Sequence, residues 1–416
     1  MNHRDTLPPL TQFYAAYLIS NLGNFAARLT LAVIVYSLTG NPVSLAASFI
    51  VTKLPTLLFG NAIAVLVRHL PAKAVLIVSD ALALLLFITL AFSYRAIGTT
   101  GTILVFGCGY VLTGCFDAAK ADVVATLCPD RARLNRAAAT LAEILYVALA
   151  CGPLLAGILI ERGGIQSALL FNAATYAGSL VLIAPLRMAS RPAPWREALR
   201  RATRWRSAFG FTENLATIRR TPLLSQCSLF YLARSVTYGL FNALVPVVAL
   251  HQLRMQGAGL GTFSFIACIG AVVGARIYKS WVQLRVPAEG AGQLWYLGLA
   301  SCGEAVALAW CIGATQPAVW YAAGFCFSVP MLLIEARIDF LYLHLAPPQT
   351  KGAMQACQQF IKALGFTGGT GIAILVTAHM ATWVLPWLML PGILLPLLAF
   401  AGTPRPESNT NSASNR

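Results

Sequence analysis

Stretches of twenty or more apolar residues recur along this chain from Leu10 to Phe400, and only short polar segments separate them. Each stretch is about as long as a helix must be to cross a hydrocarbon layer of roughly 30 Å. Charged residues are only 11% of the 416 residues, whereas a soluble domain has roughly 25%. A soluble fold cannot bury this much apolar surface, because the buried fraction rises slowly with chain length. The sequence therefore predicts an all-α, polytopic membrane protein.

The apolar stretches and the turn signals between them predict twelve transmembrane helices. The first stretch is too long for a signal-peptide core and lacks a cleavage site of small residues, so we expect it to be retained. The predicted spans are 10–38, 44–66, 74–94, 102–127, 137–160, 165–186, 223–249, 258–280, 291–313, 317–345, 353–378 and 382–402.

The charges of the loops predict the orientation of these spans. With the N-terminus inside, the inner segments carry twenty Lys and Arg residues, whereas the outer loops carry three, Arg95, Arg162 and Arg254. Cytoplasmic loops of membrane proteins show such an excess of cations. We therefore expect both termini to be cytoplasmic.

The spans also predict the organisation of the chain. Residues 1–186 form a first six-helix bundle and residues 223–402 a second one, joined by a basic linker, 187–222. Apolar residues recur at helical spacing among the arginines of this linker, which favours an amphipathic helix lying on anionic lipids of the cytoplasmic leaflet. The polar tail, 403–416, is expected to be disordered.

The two predicted bundles repeat one another. Phe13 and Phe230, each followed by Tyr, are 217 residues apart, and the acids Asp117 and Glu335 are 218 residues apart. Parallel six-helix repeats are the build of a large class of transporters, whose substrate site lies between the halves. The nearly equal offsets favour that architecture.

Other functional classes lack their sequence signatures. The net charge of +16 is arranged by membrane side and forms no basic stripe with aromatics, so a nucleic-acid partner is not expected. The chain has no G-x-x-x-x-G-K-[ST] loop, no H-E-x-x-H pair and no G-x-S-x-G elbow. We therefore expect neither an ATP-driven pump nor an enzyme, and no cofactor or metal site.

Ionisable residues inside the spans are the candidates for function. A charge at mid-bilayer costs at least ~2.5–3.5 kcal/mol on insertion scales, so such residues face a cavity or a partner. The basic set is Arg28, Lys53, Lys120, Arg234, Arg276, Arg337 and Lys362. The acidic set is Asp80, Asp117, Asp122, Glu143, Glu304, Glu335 and Asp339.

Two acids are the predicted proton carriers, Asp117 and Glu335. Asp339 follows Glu335 by four residues and would crowd it, which favours a bound proton. Asp117 and Lys120 are three residues apart on one helix face and can pair, and such a pair could also do no more than neutralise itself.

The predicted substrate ligands are cations, because guanidinium forks bind carboxylate and similar oxygens well. The first two of these cations are Arg28 and Arg234. Alternatively, these two arginines form permanent salt bridges to the acids of the cavity. The other predicted ligands are Lys53, Lys120 and Arg337. Asp80 and Glu143 are expected to be structural, and Glu304 has no assigned role.

Seven short segments carry a resemblance to a known family: Ser20–Gly23, Val35–Gly40, Leu54–Gly60, Ser79-Asp80, Asn135–Ala137, Cys151–Gly157 and Phe171–Tyr176. Through them the chain resembles the major facilitator superfamily, and in particular the bacterial exporters of macrolides and enterobactin-type siderophores. The resemblance implies two pseudo-symmetric six-helix bundles in the bacterial inner membrane. It also implies that the first, fourth, seventh and tenth helices line a central cavity, and these helices carry Arg28, Asp117, Arg234 and Glu335.

The fifth predicted span contains Gly152, Pro153 and Gly157, which resemble the Gly-Pro motif of antiporters in this superfamily. Physically, these residues would kink the helix and let a neighbouring helix approach closely.

The loop after the second span matches the family motif in part. Gly60 fits its glycine and Arg68 fits its basic position, whereas Val67 stands where the family has an acid. The charge latch that this motif usually forms is therefore in question.

These observations predict a monomeric, gradient-driven exporter that exchanges protons for a small amphipathic molecule. The intramembrane arginines favour a siderophore or another oxygen-rich metabolite over a cationic drug. An importer of similar molecules and a transporter-like sensor that moves no substrate remain as alternatives.

Overall fold

The computed structural model describes residues 8–67, 70–128, 131–186, 222–282, 285, 291–345 and 351–378, and the regular structure within them is helical. Four predicted features lie outside the described residues: nearly all of the basic linker, the polar tail, the twelfth span at 382–402, and Arg68.

Five helices make up the first half of the chain. A 3₁₀ turn, Phe49–Thr52, joins the second helix to the third. The helices are α1 Pro9–Thr39, α2 Pro42–Ser48, α3 Leu54–Val67, α4 Ala72–Leu127 and α5 Arg131–Ile183.

The two longest helices, α4 and α5, each fold back on themselves. As a straight helix, the 56 residues of α4 would extend about 84 Å, far more than a bilayer. The backbone of Gly98 has φ 66° and ψ −167°, in the left-handed region that glycine tolerates. The rings of Phe87 and Phe106, on opposite sides of this glycine, lie 5.3 Å apart. Since α5 contains a similar glycine, Gly164 with φ 74°, each of these helices supplies two crossings.

The second half contains five further helices. Single π turns, Val248–Gln252 and Tyr278–Val282, extend the first two of them. The helices are α6 Pro222–Val247, α7 Gly257–Ile277, α8 Ala291–Ile312, α9 Pro317–Leu345 and α10 Lys351–Ala378.

The described residues contain eight helical segments that are long and apolar enough to cross a membrane, together with a shorter apolar helix, Tyr296–Ile312. Because α4 and α5 each count twice, the first eleven predicted spans all have helical counterparts. The predicted all-α membrane fold is confirmed.

The second span differs from its prediction, because the expected continuous helix is broken at Lys53. The backbone of Lys53 has φ −122° and ψ −19°, and a new helix begins at Leu54. Proline two residues later explains the break, since Pro55 has no N–H and its ring would clash with the carbonyl of Val51. Because of this break, Lys53 lies between the 3₁₀ turn and α3 and belongs to neither.

The two halves pack together at one end of the bundle. Near Gly40, the Tyr36 hydroxyl lies 3.1 Å from His251 Nδ1, which joins the ends of α1 and α6. One cluster of buried apolar side chains contains residues of both halves, including Ala26, Leu29, Leu45, Phe49, Ala156, Leu244, Leu260, Phe263 and Trp320. Two other such clusters, one within residues 13–186 and one within 224–357, each lie inside one half. The bundle is therefore closed at the end that the loop charges predict to be extracellular.

Glycines allow α5 and α7 to touch at this closed end. A Cβ atom on Gly157 would lie 2.6 Å from the carbonyl oxygen of Gly257, and one on Gly261 would lie 2.6 Å from that of Pro153. The close approach expected from the fifth-span motif is therefore present in the structure.

Candidate functional site

A network of ionised side chains lies inside the second half, centred on Glu335 of α9. Its carboxylate forms ion pairs with Arg234 of α6 and Lys362 of α10, and it accepts a hydrogen bond of 2.9 Å from the Tyr231 hydroxyl. The side chain of Glu335 is only 18% exposed. The Glu335 carboxylate therefore connects α9 to side chains of α6 and α10.

Arg234 has a second carboxylate partner, Glu304 of α8. The distance between Arg234 Nε and Glu304 Oε2 is 3.5 Å, and both side chains are buried. Arg234 Nη2 also donates to the carbonyl oxygen of Met331 at 3.2 Å. Together with Glu335 and Lys362, the network contains two anions and two cations, so its charges balance. An acid within an apolar span requires a cation or a polar cavity, so a cation near Glu304 could be expected. The sequence alone did not identify Arg234 as that cation.

The corresponding acid of the first half, Asp117, lies in a simpler arrangement. Lys120 Nζ is 2.9 Å from Asp117 Oδ1, as the spacing of three residues predicts. Lys120 also donates to the Tyr17 hydroxyl at 3.0 Å and lies 4.6 Å from the centre of that ring. Asp117 is 51% exposed, so this pair faces an open space.

Two further cations of the first half have no carboxylate partner among the described residues. Arg28 Nη2 donates to Asn242 Oδ1 of α6 at 2.5 Å, and its guanidinium lies 5.9 Å from the centre of the Phe49 ring. Lys53, at the break before α3, is partly buried. Asn242 was not predicted from the sequence, because a polar residue in an apolar helix does not reveal which neighbour it faces.

Lys53 lies within electrostatic range of charged groups from both halves. Arg28 and Asp117 of the first half, and Glu335 and Lys362 of the second, are near enough to interact with it electrostatically. Three of the four residues expected in one chamber are therefore within electrostatic range of this lysine, and the fourth, Arg234, pairs with Glu335. Lys362, which the sequence placed in the basic set without a role, belongs to this group.

As the spacing of four residues predicts, Asp339 interacts electrostatically with Glu335, but Asp339 is not the immediate partner of Glu335. Gln358 donates to Asp339 Oδ1 at 2.5 Å, while Glu335 has cations as its immediate partners. The two cations therefore compensate the Glu335 charge.

Arg337, a predicted substrate ligand, lies elsewhere. Its side chain is buried, and its guanidinium lies 5.1 Å from the centre of the Phe340 ring. It lines neither of the two larger cavities described below.

Two cavities lie between the halves. The first has a volume of about 150 Å³ and is lined by both halves, including Arg28, Phe49, Tyr146, Tyr238, Asn242 and Met331. The second, about 1200 Å³, lies mainly between α5 and α7 and is largely apolar, with Glu143, Arg276, Lys279 and Ser280 among its lining residues. Tyr146, Cys268 and Ala271 line both cavities, so the two adjoin.

The predicted conformational residues are placed as follows. Gly152 and Pro153 lie within α5, where a Cβ on Gly152 would come 2.6 Å from the carbonyl oxygen of Leu22 in α1. Gly60 lies within α3. The role of these residues in a conformational change stays a prediction.

Comparison with known families gives one match, to the Major Facilitator Superfamily over residues 13–370. Among curated proteins, none matches the sequence.

Solved structures share the fold. A POT family transporter in complex with a thioalcohol-conjugated peptide has a TM-score of 0.72 at 12% identity, over 94% of this chain and 95% of that one. A bacterial homologue of the iron transporter ferroportin, in an inward-facing state, has a TM-score of 0.69 at 15% identity, over 96% and 99%. A bacterial homologue of the human lysosomal transporter Spinster, inward-facing and unoccupied, has a TM-score of 0.70 at 11% identity, over 94% and 95%. At these identities the likeness concerns the fold alone.

Proposed function

The chain belongs to the Major Facilitator Superfamily, and we propose that it is a secondary-active exporter of a small, anionic, amphipathic molecule. One observation carries this proposal. Arg28 and Lys53 lie at the seam between the halves, and neither forms an ion pair with a carboxylate in the described part of the chain. The superfamily makes the protein a transporter, and these two cations indicate the charge of its substrate.

The charge balance of the seam supports an anionic substrate. Asp117 is paired with Lys120, and the network around Glu335 contains as many anions as cations. Arg28 and Lys53 are therefore the seam cations that have no carboxylate partner in the described ranges, and they lie at a partly desolvated place. Because unpaired intramembrane charges are costly, a ligand that brings oxygen anions would be stabilised there. Carboxylates and catecholates have this chemistry, which agrees with a siderophore-like or other oxygen-rich metabolite.

The larger cavity supports an amphipathic substrate. Its walls are mostly apolar, and Arg276 and Lys279 are among its lining residues. It adjoins the smaller cavity, which Arg28 lines. A molecule with an apolar body and an anionic group would match both the walls and the cations. With the opposite end closed by Tyr36, His251 and the α5–α7 contact, we propose that the cavity opens to the cytoplasm.

Coupling to protons is proposed at Glu335. This carboxylate connects three helices of the second half and lies near Lys53 of the first half. A proton on Glu335 would release Lys362 and weaken the link between α9 and α10. Asp117, the other predicted carrier, is half exposed and pairs with a lysine of its own helix, so its carboxylate connects no helices.

Import is the second candidate, and the ion pair between Glu335 and Lys362 favours it. If an anionic substrate displaces Glu335 from Lys362, the freed carboxylate takes up a proton, so that substrate and proton bind together and move in the same direction. An exporter driven by the proton gradient requires instead that substrate and proton exclude each other. The direction of coupled proton movement therefore separates the two functions.

The experiment uses full-length protein in proteoliposomes that contain the pH dye pyranine, with no gradient imposed. A catecholate siderophore or 2,3-dihydroxybenzoate is added outside, and a macrolide and protein-free liposomes serve as controls. An exporter that exchanges protons makes the lumen alkaline as substrate enters, whereas an importer makes it acidic. Counterflow of the labelled catechol must be present in both cases, and its absence with every probe would support a sensor that moves no substrate.

The cellular setting belongs to the same proposal. We propose that the protein resides in a bacterial inner membrane as a monomer, with both termini in the cytoplasm and the basic linker on anionic lipids. The positive-inside distribution of the loop charges supports this orientation.

A further inference from the structure

A small polar cavity lies inside the first half, away from the Glu335 network. Its volume is about 10 Å³, the lower limit for one water molecule. Residues of α1, both arms of α4, and α5 line it, including Ser20, Asn24, Asp80, Thr113 and Tyr176. The cavity therefore lies where several membrane-crossing segments of one bundle meet.

Asp80 is the charged residue that this cavity contains. Its side chain is 2% exposed, and its Oδ2 atom has no hydrogen-bond partner. Within the described ranges, no Lys, Arg or His forms an ion pair with it. Expected to be structural from the sequence, Asp80 therefore contrasts with Asp117, Glu304 and Glu335, which all have a cation.

Neutral oxygen atoms line the same cavity as this carboxyl group. The Tyr176 hydroxyl donates to Asn24 Oδ1 at 2.6 Å, and the Thr113 hydroxyl lies 3.4 Å from the same atom. The buried hydroxyl of Ser179 on α5 neighbours the Asp80 carboxyl group, although no hydrogen bond of ordinary geometry joins the two side chains. One carboxylate oxygen without a hydrogen-bond partner thus lies at the cavity.

We propose that Asp80 and its oxygen neighbours bind one sodium ion. An isolated carboxylate in a membrane-embedded bundle is costly, and a single positive charge balances it. A divalent ion would leave a buried positive charge in excess. Hard cations prefer carboxylate, carbonyl and hydroxyl oxygens, which is the chemistry of this set. A proton would also neutralise Asp80, but it requires neither a cavity of water size nor oxygens from several segments.

The bound ion would join α1 to α4 and α5 within the first half. Its site lies outside both seam cavities, so this inference does not depend on the direction or the substrate of transport. Its test accordingly needs no transport assay.

The test measures thermal unfolding of the purified full-length protein by tryptophan fluorescence in detergent at pH 7.5. We expect 100 mM NaCl to raise Tm by roughly 2–4 °C relative to the same concentration of choline chloride or KCl. Asp80→Asn, a change of nearly equal size, should lose this shift. Asp122→Asn should retain it, because Asp122 is an exposed carboxylate on the other arm of α4, beyond Gly98.

Direct binding keeps the proposal testable if Asp80→Asn does not fold. Wild-type protein should bind ²²Na⁺ at one ion per chain, and unlabelled Na⁺ but not K⁺ should displace it. A Tm that does not respond to sodium, without ²²Na⁺ binding, would overturn the proposal. In that case a rise of Tm on acidification in choline chloride that the Asp80→Asn variant lacks would indicate that Asp80 holds a proton; Tyr176 is the other titratable group lining this cavity.

Discussion

Asp117 and Glu335 are 218 residues apart and lie in equivalent crossings of the two halves, yet their surroundings differ. Asp117 is 51% exposed and pairs with a lysine on its own helix. Glu335 is 18% exposed and pairs with cations from two other helices. The repeat therefore conserves the position of the acid while its electrostatic environment has diverged.

The sequence explains this divergence when the same offsets are applied to the partners. Arg234 of the second half corresponds to Tyr17 of the first, which contacts Lys120. Glu304 and Lys362 correspond to apolar residues of the first half, Leu86 and Ile144. At these positions the second half therefore has a balanced ionic network, whereas the first half has one tyrosine and two apolar residues. Predictions that remove one charge from each half test this difference.

The largest expected effect follows from removing Arg234. In Arg234→Met, the buried Glu304 loses its cation, and breaking a buried pair in this way costs about 3–5 kcal/mol. Lys120→Met is the matched change in the first half and should cost less than about 1 kcal/mol, as is usual for solvated pairs. Chemical unfolding in detergent micelles measures both values. Equal losses in the two variants would show that the halves do not differ energetically.

The next largest effect concerns Arg28 and Lys53, the two cations of the first half that have no carboxylate partner among the described residues. Arg28→Gln and Lys53→Gln should each raise the KM for an anionic probe such as 2,3-dihydroxybenzoate by about 10–100-fold, since a hydrogen bond to a charged group contributes about 1.5–3 kcal/mol. Initial rates of uptake into proteoliposomes give this value. Arg276→Gln, at the wall of the larger cavity, serves as the comparison and should change KM less. An unchanged KM in both Arg28→Gln and Lys53→Gln would remove these residues from the substrate site.

The smallest expected effect concerns Asp117. In Asp117→Asn, Lys120 keeps its contact with Tyr17, so stability should fall by less than about 1 kcal/mol. The loss should shrink further at high salt, because an exposed pair is screened. Unfolding curves at low and high NaCl concentrations measure it. A loss of several kcal/mol would mean that Asp117 is buried in the state that dominates in solution.

The sequence predicts local features of this protein well. Apolar length predicts the spans, and the spacing of three residues predicts the pair of Asp117 with Lys120, because both depend on the chain near a residue. The Glu304–Arg234 contact depends instead on how α6 packs against α8, which no local pattern encodes. The break at Lys53 had a local signal in Pro55, but the surrounding apolar run concealed it.

Coupling through Glu335 is the central claim, and proton movement in proteoliposomes tests it most directly. In Glu335→Gln, counterflow of labelled 2,3-dihydroxybenzoate should persist, while the pyranine signal that accompanies substrate entry should disappear. Asp117→Asn, with the equivalent change in the other half, should keep both activities. A Glu335→Gln protein that still moves protons with its substrate at the wild-type ratio would contradict this account.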